Sequence, residues 1–185
     1  RDTLNANGGN LTIASNTDNI DLTLTTTGIN ISKKLISSDY IKIEAKGGDV
    51  VLGGDVEADN YVNMTNTAEG GIRTKAITGT EVNVGAAKGD IEVDGGVKAT
   101  DGNITINSDT GSIMASNGAI NAATQIDLTA SNNISLGDTV EAGTNMNAVA
   151  ENNISFANSL TANAEMTLNT ATCKITGTGN ITATT

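Results

Sequence analysis

Gly102-Asn103-Ile104-Thr105-Ile106 is the stretch from which the fold can be read. A turn pair drawn from Gly, Asp and Asn precedes an apolar–polar–apolar triplet. The same cassette recurs as Gly9-Asn10-Leu11-Thr12-Ile13, Gly89-Asp90-Ile91-Glu92-Val93, Asn132-Asn133-Ile134-Ser135-Leu136 and Asn152-Asn153-Ile154-Ser155-Phe156. Each copy reads as a turn followed by a short strand with alternating faces.

Around these cassettes the apolar positions fall into three columns. The first holds Ile20, Ile41, Val62, Val82, Ile104, Ile126, Met146 and Met166. The second holds Ile29, Val50, Ile72, Ile91, Ile113, Ile134, Ile154 and Cys173. The third holds Ile36, Val56, Ile77, Val97, Ile120, Val140, Leu160 and Ile181. Within each column the steps stay between 19 and 23 residues. Unrelated hairpins would not keep a common period in three columns at once. The pattern therefore predicts an all-β chain of one domain, residues 1–185. It is a parallel β-helix solenoid with three strands per coil, about 20–21 residues per coil and about eight coils. Leu4 and Ile13 read as the second and third strands of a partial coil before the first. At a strand spacing of about 4.8 Å, eight coils give a rod roughly 40 Å long.

Alternation places Asp21, Lys42, Asn63, Asn83, Thr105, Asp127, Asn147 and Thr167 on the outside of the first column. This register predicts an Asp21–Lys42 pair, an Asn63–Asn83 amide ladder and an Arg73–Glu92 pair, each between neighbouring coils. Tyr40 and Tyr61, both one residue ahead of a first-column position, should stack. Asn, Asp and Gly at the corners fit tight turns that ask for positive φ. The chain contains no proline, as expected where nearly every strand pairs on both sides and each N–H is needed. Thr, Asn, Gly, Val and Ile dominate without a 3.6-residue apolar stripe, so helices are not expected.

The composition narrows the function. The 185 residues carry 21 acidic and 10 basic side chains, a net charge of −11, with no histidine, no tryptophan, one Phe and two Tyr. Nucleic-acid binding needs a basic stripe, and none is present. No apolar run approaches the roughly 20 residues needed to span a bilayer. Arg1 does not open a signal peptide, so secretion would be directed from elsewhere in a precursor. Cys173 has no partner for a disulfide and no zinc-ligand spacing. With Ile175 two residues on, it reads as a small core residue.

Several residue groups carry the chemistry of a site. Glu44, Asp49, Asp55, Glu57 and Asp59 could supply oxygen to calcium, but Gly53-Gly54-Asp55 does not give the tandem nonapeptide pattern, and the stretch reads as a solvated acidic face. Asp90, Glu92 and Asp94 could supply carboxylates to a polysaccharide lyase or hydrolase. Coils this short leave no room for groove-forming loops, and aromatics to stack on sugars are nearly absent. Asn-x-Ser/Thr at Asn10, Asn30, Asn63, Asn103, Asn133, Asn153 and Asn180 follows from the cassette itself and needs no glycosylation to explain it. Thr23-Leu24-Thr25 and Thr182-Ala183-Thr184 are out of register for an ice-binding face. No catalytic, cofactor-binding or metal-ligating residue is assigned, and no cofactor or enzymatic activity is expected.

The run from Gly102-Asn103-Ile104-Thr105-Ile106 to Asn132-Asn133-Ile134-Ser135-Leu136, with Gly-Ser-Ile and Gly-Ala-Ile corners between, resembles the repeats of filamentous-haemagglutinin-like exoproteins, the passengers of two-partner secretion. The resemblance extends over essentially the whole chain. It implies a right-handed β-helix, an extracellular or bacterial cell-surface setting, and repeat-region stalk of an adhesin. The expected function is a non-catalytic stalk or fibre segment. The alternative is a filament subunit stacking end to end. The partners expected are further copies end to end, or a host or cell-surface glycan or protein met by other parts of the precursor; nucleic acid and membrane insertion are not expected.

Overall fold

The computed structural model describes residues 13–15, 20–24 and 28–184. They form twenty-five short strands and no helix. Three all-parallel sheets of eight, eight and nine strands run the length of the solenoid, and every third strand in sequence pairs with the last. The first-column sheet is built from five-residue strands such as Ile41–Ala45 and Ile104–Ser108. The other two use three-residue strands such as Ile91–Val93 and Val97–Ala99.

Seven inward side chains make each layer of core. In one coil these are Ile41, Ile43, Ala45, Val50, Leu52, Val56 and Ala58, all buried. The third column ends each strand on a small residue: Ser37, Ala58, Gly79, Ala99, Ala122, Ala142 and Ala162. Layer composition compensates for size. Phe156, the chain's one phenylalanine, shares its coil with Ala148, Ala150 and Ala162. Its neighbour in the next coil is Gly177, where a Cβ would meet the Phe156 ring at 2.1 Å. Close packing demands such matching of large against small.

The three columns hold, with two corrections. Leu35, not Ile36, pairs with Val56, and Ile36 points outward at 38 % exposure. Two adjacent apolar residues leave alternation ambiguous there. The choice of Leu35 puts Ser37, rather than Ser38, into the small-residue column. At the other end Ile175, not Cys173, pairs with Ile154. Cys173 lies exposed in the corner before that strand, so it is not a core residue. The corner between the first and second columns varies from three to five residues along the chain, and before Ile175 it is one residue longer than in the two coils preceding it.

Ile13 begins a third-column strand paired with Leu35. Leu4 lies outside the described residues. Asp21 and Lys42 are register partners, but the Asp21 side chain also falls outside them. Asn63 and Asn83 are partners in register, yet the buried Asn63 Oδ1 has no hydrogen bond, so no amide ladder forms through that oxygen. The Thr74 hydroxyl is likewise buried without a partner among the described residues, with the residue at 0 % exposure. Replacing Thr74 with Val keeps the branched shape and removes an unpaid desolvation cost. Thr74→Val should raise stability by about 1 kcal/mol, seen as a higher urea midpoint at unchanged slope.

Candidate functional site

The polar chemistry of this molecule sits at the corners. The residue immediately before a strand repeatedly accepts the backbone N–H of its equivalent one coil further on. Gly71 N–H donates to Asp49 Oδ1 at 2.9 Å, Ala76 N–H to Asp55 Oδ1 at 3.3 Å, and Ser112 N–H to Asp90 Oδ1 at 2.7 Å. Gln125 N–H donates to Asn103 Oδ1, Asn153 N–H to Asn133 Oδ1 and Glu165 N–H to Asn145 Oδ1, each at 3.2 Å. Lys174 N–H donates to Asn153 Oδ1 at 3.3 Å. All seven bonds run the same way along the rod. An Asn or Asp before the strand is therefore an inter-coil fastener.

Positive φ is not the reason for Asn and Asp at these corners. Among the described residues only Gly48, Gly70, Gly89 and Gly118 have positive φ.

Ion pairs add a second set of fasteners, concentrated between residues 34 and 94. Lys34 Nζ lies 2.6 Å from Glu57. Arg73 pairs with Glu92, as the register requires, Lys75 with Asp94, and Lys88 with Glu69. Arg73 is held above its ordinary pKa by its hydrogen bond to Glu92. Asp94 is held below the ordinary carboxylate value by its bond from Lys75 first and from Asn117 second. These groups are exposed to water, which screens their attraction, so such pairs add little to stability. Later coils use amides and hydroxyls instead: Asn152 Nδ2 to Asn132 Oδ1 at 3.4 Å and Asn153 Nδ2 to Asn133 Oδ1 at 3.0 Å.

Four of the five carboxylates that could supply oxygen to calcium are dispersed among these tasks. Asp49 and Asp55 hold backbone amides. Glu57 holds Lys34, and Glu44 lies 3.2 Å from Lys46 and 3.9 Å from Lys42. No set of three or more potential ligands converges among the described residues. Asp90, Glu92 and Asp94 take the tasks already given: a Ser112 amide, Arg73 and Lys75. A shallow depression of about 270 Å³ beside Asp90 and Glu92 is floored by Gly70, Gly71 and Gly89. A second, of about 390 Å³, lies over Leu136, Phe156 and Gly177.

Tyr40 and Tyr61 stack as the register requires, with centroids 4.7 Å apart and planes at 5°. Their shared faces are turned to each other, which suits a ladder between coils better than a sugar platform. Among the sequons, Asn103, Asn133 and Asn153 are occupied as fasteners. Thr23 and Thr182 belong to different sheets.

Fold and corners together define a parallel β-solenoid whose polar side chains serve coil stacking. Comparison of the chain with protein-family models, with curated proteins and with solved structures gives no match.

Proposed function

We propose that the chain is a length of rigid, non-catalytic stalk in a bacterial surface or secreted adhesin-type fibre, placed outside the cell. The observation that carries this reading is the use of the polar corners. Asn and Asp side chains that could have lined a cleft fasten one coil to the next. A rod of this kind holds distance: each coil adds one strand spacing, and its stability is a sum of nearest-neighbour contacts. Ligand recognition, whether of a host glycan or a protein, then falls to other parts of a longer fibre. The acidic surface, at net −11, keeps such a rod soluble and away from nucleic acid.

A second reading is a filament subunit that stacks end to end, since the unpaired strand edges of a β-helix coil invite a further β layer. Negative-stain microscopy across a concentration series separates the two. The stalk reading expects single short rods at every concentration. Filaments of uniform width that lengthen with concentration would replace it with the second reading.

A further inference from the structure

Between the second and third columns the corner Ser116–Ala119 has four residues, where the corners before and after it, Asp94–Gly96 and Gly137–Thr139, have three. Ser116 and Asn117 are both exposed. Gly118 has φ +98°, and a Cβ on it would meet Gly96 N at 2.4 Å. Asn117 Nδ2 donates to Asp94 Oδ1 at 2.6 Å, and the other oxygen of Asp94 takes Lys75. The Gly118 N–H makes no backbone hydrogen bond among the described residues.

We propose that Asn117-Gly118 is a site of spontaneous, self-catalysed deamidation, an intramolecular modification with water as its only co-reactant. The Gly118 nitrogen attacks Asn117 Cγ, forming a new N–C bond. The nitrogen gives up its proton, and the amide Nδ2 gains one and leaves as ammonia. The five-membered imide then takes up water at either carbonyl and opens to aspartate or to isoaspartate at 117. No electron transfer is involved.

Two observations single out this asparagine. Among the described residues it is the one followed by glycine; Asn7-Gly8 lies outside them. A following residue without a side chain lets its nitrogen come close. The fastener asparagines, by contrast, precede strand residues whose N–H is already spent. Ile104 N–H donates to Gln125 O at 2.9 Å, Ile134 N–H to Asn153 O at 2.9 Å and Ile154 N–H to Lys174 O at 3.1 Å. Asp94-Gly95 lies one coil below, but its carboxylate is kept ionised by Lys75 and Asn117 and is the poorer electrophile.

The product matters to the rod. A neutral donor facing Asp94 becomes a second carboxylate, and Lys75 alone must serve both. The isoaspartate form also adds a methylene to the backbone of the corner. Aged rods should therefore carry one loosened corner between coils that are otherwise fastened.

The test is incubation of the full chain at mildly alkaline pH, followed by peptide mass mapping with enzymatic isoaspartate methylation. Asn117 is expected to convert at least about tenfold faster than Asn158, which sits in the same corner series before Ser159, a barrier difference of about 1.4 kcal/mol. Asn117→Gln should abolish the signal in that peptide. Hydrogen exchange on the aged chain should quicken at 94–96 and 116–119. Conversion at Asn117 no faster than at Asn158 would overturn the proposal, as would isoaspartate in that peptide of the Asn117→Gln chain. Either result leaves the stalk reading as it stands.

Discussion

Phe156→Ala should cost about 3–5 kcal/mol, the range for deleting a buried aromatic ring. The reason lies in how its layer is composed. Ala148 stands where other coils carry Ile43, Met64, Val84, Ile106 and Leu128, so the layer gives up bulk where Phe156 adds it, and both are buried. The alanines that share its coil, Ala148, Ala150 and Ala162, are too small to refill the cavity, so relaxation will recover little. The loss should also be directional. Gly177 lies directly over the ring, so the last coil loses its seat. In a solenoid, stability passes through neighbouring interfaces. Hydrogen exchange should therefore show Ile175–Gly177 and Ile181–Ala183 unprotected in the variant. The strands from Ile41–Ala45 to Ile104–Ser108 should keep their protection. Uniform loss along the whole rod would mean that the coils unfold as a single unit.

How far the sequence discloses this molecule depends on which side of the strand is considered. Inward positions are legible because Ile, Val and Leu recur at a coil's length, and a parallel stack amplifies that period through eight layers. The signal fails where two apolar residues adjoin, as at Leu35-Ile36, or where a corner changes length, as before Ile175. The corners are legible as turns, but their task is not. Asn and Asp favour turns by local propensity, and the same letters result whether the side chain serves its own turn or an N–H one coil away. Distinguishing these needs the register to the next coil. The inward place of Asn66 is legible in the sequence. It stands four residues after Val62 in a five-residue strand, and alternation carried past the triplet places it inside.

That position gives the second large effect. Asn66→Leu should destabilise the rod by about 1–3 kcal/mol, although Leu is more apolar and the site is buried. Asn66 is 1 % exposed. Its equivalents Ala45, Ala86, Ala130 and Ala150 show that the place is ordinarily apolar and small. The difference is the corner that follows. Residues 67–71 make five, where those after Ala45 and Ala86 make four and those after Ala130 and Ala150 make three. The amide serves both this longer corner and the corner of the coil before it. Asn66 Nδ2 donates to Gly48 O at 2.8 Å and reaches Glu69 O and Gly71 O at 3.5 Å, while its Oδ1 takes Ala68 N–H at 3.4 Å. Leucine would fill the space and leave these groups without water or partner. Ser108 performs the matching task two coils on, donating to Gly89 O at 2.8 Å and accepting Gly111 N–H at 2.9 Å. The contrast with Thr74 in the same coil sharpens the test. Both are buried polar side chains, but the Thr74 hydroxyl bonds to nothing described. Urea midpoints should therefore fall for Asn66→Leu and rise for Thr74→Val. A rise in both would show that the Asn66 amide holds nothing the corner needs.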